Sequence, residues 1–187
     1  MVDAVGNDIV WLADPANVGR FADKKLLHRI LTPAERLLVG VSPDPDFMLW
    51  SLWAAKEAAY KAWAQALGPS GFSPASFTVE FSPGEGVARV VKAGLAIPIR
   101  WTRGADWVHA LAAEDPDAVV VSWERSESDP SSTVRRVAER ALRQAGGPEA
   151  AVQGRPPRFV AGASELDVSL SLSHDGPYVA VAFRWRK

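Results

Sequence analysis

The 187-residue chain carries a formal net charge of −1 and is 48% hydrophobic and 23% charged, the balance of an ordinary globular protein with room for one good core or two small ones. Near neutrality gives no reason to expect nucleic acid as a partner, and the absence of cysteine excludes disulfides, thiolate metal sites and cysteine nucleophiles. The opening MVDAVGNDIVWLAD carries acids and no basic segment, so it does not read as a signal peptide, and no apolar run is long enough to span a bilayer; the expectation is a cytoplasmic protein with no membrane partner.

Residues 4–12 alternate as a strand, with Val5, Asn7, Ile9 and Trp11 on one side and Gly6, Asp8, Val10 and Leu12 on the other. Asp8 is then either a surface acid or a carboxylate set beside a core. Residues 17–39 read as helix in two pieces. Val18, Phe21, Leu26, Leu27, Ile30 and Leu31 supply an apolar stripe, and Arg20, Lys24, Lys25, His28 and Arg29 a basic one, which is a solvated face or a docking surface for an acidic partner. Thr32, Pro33 and Glu35 have the spacing of a capping box with proline at the first helical position.

Residues 41–46 (VSPDPD) read as a turn leading into the central element, a helix over 49–68 stopped by Gly68 and Pro69. On it Trp53, Glu57 and Lys61 fall four apart on one face, while Trp50, Ala54, Ala58 and Leu67 supply an apolar seam. Spacing alone makes Glu57 and Lys61 a solvated ion pair. Beyond the helix, residues 77–81, 86–91, 96–102, 107–113 and 118–123 are short strand patterns, so the expected class is α+β, helices packed on a largely antiparallel sheet.

Residues 126–132 read as a linker between a first half, 1–125, and a shorter second half, 133–187, the alternative being one compact domain. A basic helix from Ser132 or Thr133 to Ala145 follows. Residues 166–173 (LDVSLSLS) alternate strictly, with leucine and valine inward and Asp167, Ser169, Ser171 and Ser173 outward; His174 to Pro177 turn the chain, and residues 178–185 return it as a hairpin. The hydroxyl row ending in His174 is a phosphate-binding edge or simply a polar sheet face.

Together these stretches resemble the 4′-phosphopantetheinyl transferases. The resemblance is carried by Gly6-Asn7-Asp8-Ile9-Val10, by Ile30-Leu31-Thr32-Pro33-Ala34-Glu35, by Trp53-Ala54-Ala55-Lys56-Glu57-Ala58-Ala59-Tyr60-Lys61-Ala62, and by Ser171-Leu172-Ser173-His174. It implies an Mg²⁺-dependent enzyme that moves the phosphopantetheine arm of coenzyme A to a serine of an apo acyl or peptidyl carrier protein and releases 3′,5′-ADP. It further implies that Asp8 and Glu57 hold the metal, that Glu57 and Lys61 serve the chemistry, and that Lys56, Lys61, Arg155, Arg158, Ser173 and His174 contact coenzyme A. The basic stripe of Arg20, Lys24, Lys25 and Arg29 becomes the carrier's docking surface. Val10 stands where the larger Sfp-type members have a glutamate ligand, and the motif order is that of the holo-acyl-carrier-protein-synthase type, yet the chain has extra material before its hairpin. Monomer and homo-oligomer are both open, as is a non-catalytic protein of the same fold that binds coenzyme A or a carrier.

Overall fold

The computed structural model of the chain describes residues 4–81 and 88–185. Strand β1 (Gly6–Trp11) is followed by a 3-10 turn (Arg20–Ala22) and helices α1 (Lys24–Ile30), α2 (Pro33–Val41) and α3 (Pro45–Leu67). Strands β2 (Thr78–Phe81), β3 (Ala88–Lys92), β4 (Leu95–Arg103) and β5 (Trp107–Ala112) complete a five-stranded antiparallel sheet in the order β1-β5-β4-β3-β2. Residues 86 and 87 of the expected strand 86–91 lie outside the described residues.

The remainder builds a second layer. Strand β6 (Val120–Arg125), read from sequence as part of the first half, pairs instead with β11 (Tyr178–Phe183), which also pairs with β10 (Leu170–Asp175). Helix α4 (Pro130–Gln144) covers the outer face of this sheet through a core of Val137, Leu142, Phe159, Val181 and Phe183. A small sheet of β7 (Ala151–Gln153), β8 (Arg158–Ala161) and β9 (Ser164–Glu165), which the sequence reading did not anticipate, lies between α4 and β10 in the chain. The class is thus α+β with antiparallel sheets, as expected.

Local chemistry explains the helix boundaries. Asp23, Asp44 and Asp129 each accept a backbone N–H from the first turn of α1, α3 and α4, and Thr32 and Glu35 form the full capping box of α2. Helix α3 therefore begins at Pro45 and α4 at Pro130, ahead of the expected starts, because each proline occupies a first-turn position where no N–H is needed. Gly68, at φ 86°, ends α3 where expected. Leu67, placed in the apolar seam from its spacing, is instead exposed, as are Val18 and Phe21.

Strand β1 is the hinge of the architecture, buried on both faces. Gly6 lies against α3 so closely that a Cβ there would sit 1.8 Å from the Ala58 carbonyl oxygen; buried Ala54, Ala55, Ala58, Ala59 and Ala62 let the helix approach. On the other face Val5 packs with Leu111 and Ala182, and Ile9 with Trp107, Tyr178 and Ala180, joining the two sheets.

The free edge of β1 is not left open. The backbone N–H groups of Val5, Asn7, Ile9 and Trp11 donate to the side chains of Ser169, Ser171, Ser173 and Asp175, at 2.9, 2.9, 3.1 and 2.8 Å. Every second side chain of one strand thus replaces the carbonyl that a neighbouring strand would offer, which satisfies the edge donors across the two layers. The outward face of the hydroxyl row is the seam between halves, so Ser171 and Ser173 are more buried than Leu172.

Candidate active site

Strand β1 brings Asp8, and the facing turns of α3 bring Glu57 and Lys61, to one place. The Lys61 ammonium donates to Asp8 Oδ1 at 2.7 Å and to the Asn7 carbonyl at 2.9 Å. The i,i+4 pair expected from spacing is therefore replaced by an inter-element bond, because β1 offers two acceptors within reach. Ser173 Oγ donates to the same Asp8 oxygen at 2.8 Å. Glu57 accepts no hydrogen bond among the described residues and is half-buried. Burial and the Asp8 carboxylate, opposed by Lys61, push its carboxyl up to about 7.

These acids line a cavity of about 470 Å³ together with Val10, Leu26, Ile30, Trp50 and Trp53 from the first half and His174 and Asp175 from the second. One chain supplies both walls. Arg20 and Arg29, expected on a docking face, also line it, Arg20 paired with Asp23 at 3.1 Å. Lys24 and Lys25 are exposed on α1. Asp175 and Asn17 escaped the sequence reading. The Asn17 side-chain amide donates to the Trp11 carbonyl and to Asp175, and the Asn17 backbone carbonyl accepts the Trp50 indole N–H, tying three elements around the cavity. Continuing the serine alternation two residues past Ser173 would have found Asp175.

Other expected site residues lie elsewhere. Lys56 is fully buried and donates to Glu35 at 2.6 Å and to the Ile30 carbonyl at 2.9 Å. Expected at coenzyme A, Lys56 does not line the Asp8–Glu57 cavity: the helix turns it away from Glu57 into the core. Ser173 is likewise inside the seam. Arg158 pairs with Glu165 at 2.7 Å beside a second cavity of about 410 Å³, at the Leu170 end of β10, and Arg155 is exposed before β8; neither lines the Asp8–Glu57 cavity. Beneath the site, buried His109 donates from Nε2 to Asn7 Oδ1, since the Asn7 amide nitrogen is already donating to the Ser171 carbonyl. Burial, aided by Lys61, lowers this imidazole to about 4, so it is neutral at pH 7.

The donor set suits a hard divalent cation. Two carboxylates from different elements line one cavity, and a cation between them would offset the burial and the Asp8 charge that together lift Glu57. Among the described residues no three histidines, cysteines, aspartates or glutamates cluster, so a cation held by Asp8 and Glu57 would need its remaining ligands from water or substrate.

A pH test follows. Glu57 binds its proton more tightly folded than unfolded, so without metal stability falls as pH rises from 4.5 through about 7. Glu57→Gln should therefore melt about 5 °C above the native protein at pH 8 in a chelator, and level with it at pH 4. Equal melting at pH 8 would mean that burial and the Asp8 charge do not raise the Glu57 carboxyl.

A family model described as the 4′-phosphopantetheinyl transferase superfamily matches residues 4–112, more than half of the chain; this stretch is the five-stranded sheet with α1 to α3, and it ends before the second sheet. The chain is similar to solved holo-[acyl-carrier-protein] synthases. The one from Helicobacter pylori, in complex with coenzyme A, is 22% identical over 58% of this chain and 97% of that one, with a TM-score of 0.47. Those from Neisseria meningitidis (21% identical, 60% and 97% covered) and Thermotoga maritima (21%, 82% and 78%) also have TM-scores of 0.47. Among curated proteins none matches.

Proposed function

Because the chain belongs to the 4′-phosphopantetheinyl transferase superfamily, we propose that it moves the 4′-phosphopantetheine arm of coenzyme A to a serine of an apo acyl or peptidyl carrier protein, with Mg²⁺, releasing 3′,5′-ADP. The observation that carries this reading is the meeting of Asp8 and Glu57, with Lys61 on Asp8, at a cavity walled by both halves of one chain.

The serine oxygen forms a bond to the phosphorus that bears pantetheine, and the bond from that phosphorus to the 3′,5′-ADP oxygen breaks. Asp8 and Glu57 would hold Mg²⁺, which when bound neutralises charge developing on the phosphate oxygens. Lys61 uses two of its three N–H donors on Asp8 and Asn7 and has a third for a substrate phosphate oxygen. Glu57, with no hydrogen bond of its own, is the candidate acceptor for the serine proton. His174 is exposed at the cavity wall, where its imidazole can meet a phosphate. The exposed cations of α1, with Arg29 at its cavity end, form the docking face for an acidic carrier helix, an effect mainly on association rate and weakened by salt. Since one chain walls the cavity, a monomer suffices.

The test is mass spectrometry of apo carrier proteins incubated with this protein and coenzyme A, with and without Mg²⁺. A gain of one phosphopantetheine, about 340 Da, that requires the metal supports the reading. Coenzyme A binding without any gain across carrier classes makes the protein a non-catalytic binder of the same fold.

A further inference from the structure

The hydroxyl of Ser173 has one hydrogen and two lone pairs. It accepts the Ile9 N–H at 3.1 Å and donates to Asp8 Oδ1 at 2.8 Å, and its residue is only 5% exposed. A phosphate oxygen is an acceptor and needs a donor, and the single hydrogen of this hydroxyl is already on the carboxylate. We propose that Ser173 is a positioning residue for Asp8, fixing the carboxylate for a divalent cation, and not a ligand of coenzyme A phosphate. The inference rests on the reading of Asp8 as a metal ligand.

Three features place this role on Ser173. Ser173 and Lys61 both donate to Oδ1, which leaves Oδ2 without a hydrogen bond among the described residues on a residue that lines the cavity. Ser173 belongs to the second half and Asp8 to the first, 165 residues away, so docking of the two sheets sets the carboxylate's rotation. Among the rungs of the seam, Ser169 instead donates to the Gln65 side-chain oxygen, far along α3 from Glu57, and thus serves as a control with the same backbone role. Hydrogen bonds of this kind to metal-binding side chains hold their orientation and tune affinity.

The experiment is calorimetric titration of Mg²⁺ or Mn²⁺ alone, and of coenzyme A alone, into the native protein and the Ser173→Ala, Ser173→Thr and Ser169→Ala variants, with melting curves to establish folding. Ser173→Ala should weaken the cation about tenfold with coenzyme A affinity unchanged. Ser173→Thr, which keeps the hydroxyl and the fold, should restore it, and Ser169→Ala should lose stability without losing the cation. In turnover, Ser173→Ala should raise the Mg²⁺ needed for half-maximal rate and leave KM for coenzyme A unaltered. Weakened coenzyme A binding with native cation affinity overturns the proposal, as does native affinity for both. If the native protein itself binds no divalent cation, the metal reading of Asp8 and Glu57 falls as well, and that result is distinct from failure of the variant alone.

Discussion

Asp8→Ala and Glu57→Ala should each lower kcat/KM for carrier modification by at least about 10³-fold, a loss of roughly 4 kcal/mol of transition-state stabilisation, while coenzyme A binding measured without metal stays within about threefold. Asp8→Ala strips Lys61 of its carboxylate partner and Ser173 of its acceptor, so it disturbs two further groups. Glu57→Ala removes a carboxylate that bonds to nothing else and that burial and Asp8 already disfavour in its charged form. The two variants therefore differ in stability even if equally inactive. Asp8→Ala should melt lower than the native protein at pH 8, and Glu57→Ala should not, since it relieves a repulsion. Transfer at near-native rate by either variant, followed by mass spectrometry of the carrier, would remove that residue from the chemistry.

The helix surface and the capping chemistry were legible from the chain because they are local. Trp53, Glu57 and Lys61 share a face by spacing, and the capping box of α2 is written in three residues. The starts of α3 and α4 were misplaced for one reason: Pro45 and Pro130 looked like breaks where each is a first-turn residue after an aspartate cap. Helix was also expected from residue 17, where α1 begins only at Lys24, and a strand over 166–173, where β10 runs Leu170–Asp175. Errors of role came from contacts distant in sequence. A serine row alternating with leucines reads as a phosphate-binding edge or a polar sheet face, and only the docking of a second sheet shows it accepting the N–H groups of β1. The same holds for strand β6, whose pattern is plain but whose partner, β11, lies more than fifty residues further on. Residues that match a motif thus do not all meet at one place: the neighbours Lys56 and Glu57 point in opposite directions, one into the core and one into the cavity.

Lys56 gives the largest expected effect on stability. Its ammonium meets Glu35 at 2.6 Å with both side chains buried, and burial holds it below the ordinary lysine value while Glu35 opposes that shift. Glu35 is also occupied by the Thr32 and Val79 backbone N–H groups, so one carboxylate joins α2, α3 and β2. Removing either partner leaves the other charged in a dry interior, and Lys56→Ala should cost about 3–5 kcal/mol in urea unfolding. Glu35→Ala should cost at least as much, because two backbone donors lose their acceptor along with the ammonium. Lys56→Met paired with Glu35→Gln should recover part of the loss, since the amide can still accept from Val79 and the charge is gone from both sides. Per folded molecule, at a temperature below its transition, Lys56→Met should keep the native KM for coenzyme A. A variant that folds as stably as the native protein yet binds coenzyme A more weakly would return Lys56 to the substrate site and require α3 to turn on its axis, which the close fit of Gly6 against Ala58 opposes.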